Sequence, residues 1–222
     1  MSDLTLIIPA KNEKESLPRV LDELKNFNVK KNIILETSDK QTIEAIKNYD
    51  CNIIYQDSNG YGDALKKGID TVGTEFFCIF NADGSFNPKE LDQMIKRLKD
   101  DKYDFVFASR YEKDCGSEDD TLITLIGNYI FTFLGKIFFK LKITDILFTF
   151  VMAKTSCAKK LRLTAKDFSF CVELPIKAQR ANYKICTSKS FERSRIAGEK
   201  KVNAFKDGLK ILFSMIKLFF RH

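Results

Sequence analysis

Histidine is almost missing from this chain; the one residue of its kind is His222, at the end. The six cysteines, at 51, 78, 115, 157, 171 and 186, form no C-x-x-C pair. A zinc site built from His and Cys at ligand spacing is therefore not expected. Cys51, Cys78 and Cys171 fall in apolar runs and read as reduced, buried thiols of a cytosolic protein. There is no Pro/Gly/Ser-rich linker, internal repeat or low-complexity tract, which leaves one large domain with at most a small appendage. No stretch reaches the roughly 18–20 uninterrupted apolar residues of a membrane span. The Met1-Ser2-Asp3 opening, followed by a strand, does not read as a signal peptide. Two nucleotide fingerprints are also lacking. The first strand runs into Pro9-Ala10-Lys11-Asn12-Glu13, without G-x-G-x-x-G or G-x-x-x-x-G-K-[ST], which disfavours a dinucleotide dehydrogenase or a P-loop ATPase.

What is present is a globular composition. Apolar residues make up 44% and charged residues 30% of the 222, so disorder is not the default. The formal net charge is +7, and it is uneven: acidic residues are frequent up to Asp120, whereas 136–222 is rich in Lys and Arg. A basic C-terminal part favours an anionic partner, although a solvated surface has the same look. Nucleic acid is poorly supported, because the basic residues are not interleaved with aromatics on short strands and no recognition motif occurs.

Hydrophobic periodicity orders the elements. Strands are expected at 4–8, 32–36, 51–55, 75–80 and 104–108, alternating with helices at 13–27, 39–48, 62–71 and 88–98. This βαβα rhythm predicts an α/β fold with a mostly parallel sheet covered on both faces. After about Tyr111 long helices dominate, with short strands near 148–153 and 184–188. Two segments are amphipathic. Residues 121–142 carry Leu122, Leu125, Ile126, Tyr129, Ile130, Phe133, Leu134, Ile137, Phe138 and Leu141. Residues 204–220 place Phe205, Leu209, Leu212, Phe213, Ile216, Phe219 and Phe220 at helical spacing, with Lys206, Lys210 and Lys217 elsewhere. Such a helix packs on its own protein or lies in the headgroup layer of a membrane.

The most informative stretch is Cys78-Ile79-Phe80-Asn81-Ala82-Asp83-Gly84-Ser85-Phe86-Asn87-Pro88. A buried strand ends here at a carboxylate, a glycine and a proline-started helix. Ligand sites of open α/β sheets lie at the carboxyl ends of strands. Asp83 is thus placed to hold a divalent cation that clamps a departing diphosphate; the plain alternative is a turn shaped by Asp83 and Gly84. Gly60-Tyr61-Gly62 opens a helix whose free N–H groups suit an anion, a weak signal by itself.

Taken together these motifs resemble the family 2 glycosyltransferases, most closely the dolichyl- or undecaprenyl-phosphate mannosyl/glucosyltransferase branch. The resemblance rests on Leu6-Ile7-Ile8-Pro9-Ala10-Lys11-Asn12-Glu13, Gly60-Tyr61-Gly62-Asp63-Ala64, Asn81-Ala82-Asp83-Gly84, Ser109-Arg110-Tyr111, Asp145, Glu173-Leu174-Pro175 and Arg195-Ile196-Ala197-Gly198-Glu199-Lys200. It covers about 4–202, leaving 203–222 as an amphipathic C-terminal helix. It implies a GT-A fold, a Rossmann-like α/β sandwich, with a sugar nucleotide donor (GDP- or UDP-linked hexose) and Mg2+ or Mn2+. By the same resemblance Pro9, Ala10, Asn12, Glu13, Glu36, Gly60, Ala82, Arg195 and Lys200 bind the donor, Asp83 and Asn81 the metal, and Arg110 a phosphate. Asn81 stands where the family signature has an aspartate. Glu36-Thr37-Ser38-Asp39 replaces an Asp-Asp-Gly-Ser turn, Thr149-Phe150-Val151 a Gly-Phe-Arg, and Glu199 a serine.

Displacing a diphosphate from an anomeric carbon requires charge neutralisation, and a hydroxyl acceptor also requires a base. Asp145 and Glu173 are the candidate carboxylates; the plain alternatives are a turn residue at Asp145 and a helix-start charge at Glu173, the latter favoured over catalysis. A lipid monophosphate needs no base. The expected reaction is therefore inverting, metal-dependent transfer to a polyprenyl phosphate at the cytoplasmic face of the membrane, with a membrane-anchoring subunit as a candidate partner. The competing readings are transfer to a saccharide hydroxyl, a nucleotidyltransferase, and a degenerate sugar-nucleotide binder.

Overall fold

Leu4–Pro9 forms β1, and its side chains divide by the two-residue strand period: Leu4, Leu6 and Ile8 enter one core and Ile7 the other. The remaining strands repeat this division, so the sheet is buried on both faces. The structure, a computed structural model, describes residues 1–198 and 201–220; Lys200, Glu199 and His222 lie outside the described residues. The elements in order are β1, α1 (Leu17–Glu23), β2 (Lys30–Leu35), α2 (Lys40–Ile46), β3 (Asn52–Tyr55), α3 (Tyr61–Thr71), β4 (Phe76–Ile79), α4 (Leu91–Lys99), β5 (Phe105–Ser109), β6 (Gly116–Ser117), α5 (Leu122–Phe139), β7 (Val151–Lys154), α6 (Thr155–Lys160), α7 (Phe170–Arg180), β8 (Ile185–Lys189), β9 (Phe191–Glu192) and α8 (Ala204–Phe220).

Seven strands form one sheet in the order β3-β2-β1-β4-β7-β5-β8, and β6 and β9 make a small second sheet. Only β7 runs antiparallel to its neighbours, entering between β4 and β5 with Cys78 opposite Met152 and Val106 opposite the same residue. The chain leaves β1 for β2 and β3 on one side and returns to β4 on the other. Strand order therefore reverses between β1 and β4, and a crevice opens beyond their carboxyl ends.

The helix expected at 13–27 is shorter, Leu17–Glu23. Pro18 lacks an N–H and fits only a first turn, which frees 9–16 to line the crevice. The helix expected from Pro88 begins as a 3-10 turn, Pro88–Glu90, before α4. Leu17, Val20 and Leu21 of α1 and Leu91, Met94 and Leu98 of α4 fill the first core. The second core is covered by α3, α5, α7 and α8, including Ile211 and Met215 of α8. Helix α3 lies very close to the sheet at Gly68, where a Cβ would come within 2.2 Å of Ile7 Cγ2. All six cysteines are free thiols.

Helix α5 starts from a reciprocal cap between Thr121 and Thr124. Asn128, Thr132, Gly135 and Phe139 form its buried face. Ile123, Ile126, Tyr129, Ile130, Phe133 and Ile137 on the rest of it are exposed. By length and composition it is one helix long and apolar enough to cross a membrane. Its Asn128 face is nonetheless bonded into the protein, as described next.

Candidate active site

The crevice is a cleft of about 630 Å³. One wall comes from the carboxyl ends of β1, β2 and β3: Pro9, Ala10, Lys11, Asn12, Glu13, Glu36 and Gln56. Asn12 is left-handed, with φ 55°, a conformation Asn tolerates better than most residues. Its N–H donates to Asp39 Oδ2 at 2.7 Å. The Glu13 N–H donates to Thr42 Oγ1 at 2.9 Å, and its carboxylate accepts from Ser16 Oγ at 2.5 Å and pairs with Lys201. Glu36 pairs with Lys11 at 2.9 Å. The α1 and α2 starts thereby fix the loop that replaces the expected first turn of helix.

The floor is Asn81, Ala82 and Asp83, just past β4. Gly84 permits the turn, with φ 85°. Ser85 donates to Asp83 Oδ1 from its N–H at 3.0 Å and from its hydroxyl at 2.8 Å. Asn81 Nδ2 donates to Ser85 Oγ at 3.4 Å. Asp83 Oδ2 and Asn81 Oδ1 accept no hydrogen bond among the described residues. The segment 193–196 lies across this turn: the Ile196 N–H donates to the Asp83 carbonyl at 2.8 Å, and Arg193 reaches the carbonyls of Gly84 and Phe86.

The opposite wall holds an ionic network. Arg110, 9% exposed, donates to Asp145 from Nε (2.8 Å) and Nη2 (3.1 Å), and to Glu192 from Nη1 at 3.0 Å. Asp120 stands 3.6 Å from the same Nη1. The guanidinium also lies over the Phe148 ring, 4.5 Å from its centroid. These carboxylates, Asp145 first among them, hold Arg110 protonated against the cost of burial. Asn128 of α5 donates to Asp145 and accepts from the Leu147 N–H at 3.2 Å. Asp119 pairs with Arg195 at 2.7 Å.

Several sequence expectations change here. Arg110 lines the cleft, but its donors are largely consumed by carboxylates, so it organises the wall more than it offers charge to a ligand. Asp145, 1% exposed, is the residue that orients Arg110 and does not line the cleft. Glu173 does not reach the cleft. Its carboxylate accepts from the Thr164 N–H, Thr164 Oγ1 and Ala165 N–H at 2.8–3.0 Å and pairs with Lys177. Burial pushes its pKa up, but these bonds outweigh burial and the net shift is down. Gly60 and Gly62 let a chain segment approach: a Cβ on them would lie 2.2 Å from the Lys166 carbonyl oxygen and 2.6 Å from that of Ala165. The Asp63 N–H donates to the Lys166 carbonyl at 3.1 Å, so this helix start serves the protein before any anion. The segment it seats puts Phe168 against Tyr61, 5.0 Å between ring centroids, at the cleft edge.

Sequence reasoning passed over Asp119, Asp120, Asn128 and Glu192. The acidic pair before a capped helix carried a weak signal; the other two carried none. The lining residues include six carboxylates (Glu13, Glu36, Asp83, Asp119, Asp120 and Glu192) against four cations (Lys11, Arg110, Arg195 and Lys201). A diphosphate entering such a cleft needs a cation with it. Among the described residues no group of three or more His, Cys, Asp and Glu side chains could hold a metal ion. One carboxylate and one amide oxygen still fit Mg2+ or Mn2+, which commonly completes its shell with phosphate oxygens and water.

The model of glycosyl transferase family 2 matches residues 5–162. The chain belongs to that family. Among relatives, a UDP-N-acetylglucosamine–dolichyl-phosphate N-acetylglucosaminyltransferase of Methanococcus voltae is 26% identical over 200 residues, covering 79% of each chain. An uncharacterized glycosyltransferase of Mycobacterium tuberculosis is 21% identical over 90% of this chain and 89% of its own. A match to an uncharacterized Methanocaldococcus jannaschii protein, 23% identical, spans 60% of this chain and 56% of that protein. Among solved structures, glucosyl-3-phosphoglycerate synthase from Mycobacterium tuberculosis, in complex with Mn2+, UDP and glucosyl-3-phosphoglycerate, superposes with a TM-score of 0.78. It is 12% identical and covers 97% of this chain and 79% of its own. The glycosyltransferase has the GT-A-like α/β fold with a mostly parallel sheet.

Proposed function

We propose that this family 2 glycosyltransferase moves a hexose, with inversion, from a GDP- or UDP-linked donor to a polyprenyl phosphate at the cytoplasmic face of a membrane. The observation that carries the reading is the position of the cleft. Thr124 and Asn128 of α5 line it, while the outward side of the same helix is an exposed apolar face. That face continues into α8, where Phe219 meets Phe138 edge-on at 5.6 Å. An acceptor embedded in a bilayer would find the cleft mouth beside the surface that meets the bilayer. A membrane-anchoring subunit would meet the same face. The dolichyl-phosphate relative supports the acceptor class.

In this reading Pro9, Ala10, Asn12, Glu13 and Glu36 hold the nucleoside, with Gly60 and Ala82 at the edge and floor of the same cleft. Asp83 Oδ2 and Asn81 Oδ1 face the diphosphate. Mg2+ or Mn2+ held there with the donor would supply positive charge to the departing diphosphate. Arg195 and Lys201 are already paired with Asp119 and Glu13, and they exchange those partners for phosphate oxygens; Lys200 adjoins them in sequence. Asp145 and Asn128 keep Arg110 fixed behind the acceptor. A lipid phosphate attacks as the anion it already is, so no side chain need take a proton.

A second reading is favoured by one observation: Asp119 and Asp120 line the acceptor wall, and either can serve as base for a saccharide hydroxyl. A transfer assay separates the two. Purified protein is given labelled sugar nucleotides, Mn2+ or Mg2+, and undecaprenyl or dolichyl phosphate in detergent. Metal-dependent label in the lipid phase is the expected result. Nucleoside diphosphate release that requires a saccharide would replace the lipid acceptor by the hydroxyl one. Silence with every donor would leave a sugar-nucleotide binder.

A further inference from the structure

Behind the segment that seats Gly60 and Gly62 lies a second groove, of about 890 Å³, between residues 160–169, α7 and α8. The same segment walls both sites: Phe168 lines the cleft and Lys166 the groove. Six cations line the groove: Lys160, Lys166, Lys177, Arg180, Lys210 and Lys217. Part of that charge is answered: Asp207 stands 3.5 Å from Lys210, Arg180 lies over the Phe139 ring, and two carboxylates, Glu173 and Asp167, line the groove itself. Glu173 is consumed by Thr164, Ala165 and Lys177. Asp167 lies 4.0 Å from Lys210 and accepts from the Ser169 N–H. Lys160, Lys166 and Lys217 are exposed and make no ion pair among the described residues. These three lysines give the groove an excess of unpaired positive charge, unlike the acidic cleft.

Helix α8 sets this charge beside an apolar surface. Ile211 and Met215 face the core, Lys210, Ser214 and Lys217 face the groove, and Leu209, Phe213, Ile216 and Phe220 are exposed. Spacings of three and four residues make each set a stripe. The lysine stripe lies between the core stripe and the outward apolar stripe, where long side chains can reach headgroups while the aromatic rings enter the acyl boundary.

We propose that this groove binds the phosphate of an anionic phospholipid headgroup and thereby seats the enzyme on the bilayer. The inference rests on the membrane reading above. A free phosphate ion shares the charge chemistry but gains nothing from Phe213, which lines the groove and is 67% exposed. The donors are flexible surface amines suited to a fluid surface.

The test is vesicle flotation with the full chain. Wild-type protein is compared with a groove variant, Lys160→Glu/Lys166→Glu/Lys217→Glu. A control variant, Lys25→Glu/Lys30→Glu/Lys96→Glu, carries the same charge change near the other core. Phosphatidylcholine vesicles are used with and without phosphatidylglycerol, and thermal melting checks that each variant is folded. Wild type should float with phosphatidylglycerol vesicles. The groove variant should lose roughly tenfold or more in partitioning, and the control much less. Equal loss in both variants, or no loss in the groove variant, would overturn the groove and leave membrane binding standing. A wild type that floats with neither vesicle would overturn both. Inorganic phosphate that releases the protein beyond chloride of equal ionic strength would overturn the lipid assignment in favour of a free anion.

Discussion

The two walls of the cleft are built on different principles. The β1–β4 wall presents its ligand-facing groups from short continuous segments at strand ends, Pro9 to Glu13 and Asn81 to Ser85, which Asp39, Thr42 and Ile196 brace from elsewhere in the chain. The α5 wall is long-range: Arg110, Asp120, Asp145 and Glu192 meet across 82 positions of sequence between Arg110 and Glu192. The first wall leaves Asp83 Oδ2 unengaged and ready for a ligand. The second is already satisfied before any ligand arrives. A motif thus marks where chemistry enters, and a buried network marks where geometry is held.

The sharpest way to test this contrast is to remove one member from each wall. Asp83→Ala should lower transfer by at least about a thousandfold, comparable with losing a main electrostatic stabiliser of a transition state. Its folded stability should change little, because among the described residues the Asp83 side chain hydrogen-bonds only to Ser85. Metal-dependent transfer and a urea melt on the same preparation read both quantities. Near-normal activity would detach Asp83 from the metal.

Arg110→Met should do the reverse. It strands three carboxylates, of which Asp145 is almost wholly buried. Breaking such a network from one side costs about 3–5 kcal/mol. Urea unfolding should show that loss, and the double variant Arg110→Met/Asp145→Leu should recover part of it. If Arg110→Met melted like wild type while transfer collapsed, Arg110 would be a ligand-binding residue and the contrast between the walls would fail.

This division also explains what the sequence made legible. Strand alternation exposed β1 and β4, and their carboxyl ends marked where a ligand site was to be expected, because both readings depend on neighbours in the chain. The signature Asn81-Ala82-Asp83-Gly84 was readable for the same reason. Glu173 misled because a carboxylate at a helix start looks alike whether it faces a cleft or caps a loop; only the Thr164 and Ala165 N–H groups reveal which. The roles of Asn128 and Glu192 depend on α5 and β9 bringing them to Asp145 and Arg110, which no local pattern encodes. The glycines at 60 and 62 were recognised as special, but their partner, the 165–167 backbone, is about a hundred residues away in the chain.

Glu173 offers a smaller effect. Glu173→Gln keeps the shape but weakens four contacts, and stability should fall by about 1–3 kcal/mol, the usual cost of a compromised buried polar group. Its folded pKa is lowered from 4.5. The charged form therefore contributes stability that is complete above that value and is lost as pH falls through the folded pKa. Thermal melts between neutral and acid pH should converge for wild type and Glu173→Gln at the acid end. Transfer near neutral pH, measured below the melting range, should stay within a few-fold of wild type. A thousandfold loss would return Glu173 to the chemistry.

Asn81→Asp is the finest probe of the donor wall. Asn81 Nδ2 leans on Ser85 Oγ, and Ser85 in turn donates to Asp83. A second carboxylate at this position adds one negative charge beside Asp83, which by itself repels but in the presence of a divalent cation attracts. Without nucleotide, Mn2+ binding to wild type should be weak, because one carboxylate and an amide supply too few donors. The aspartate variant should tighten Mn2+ binding by roughly tenfold, or about 1.4 kcal/mol, as a second anionic oxygen at a hard cation would. Electron paramagnetic resonance titration of free Mn2+ reads this directly, with no turnover involved. The benefit should shrink when UDP or GDP is present, since the diphosphate then supplies most of the charge. A variant whose Mn2+ affinity is unchanged with and without nucleotide would mean that residue 81 never reaches the ion, leaving Asp83 alone to anchor it on the protein side.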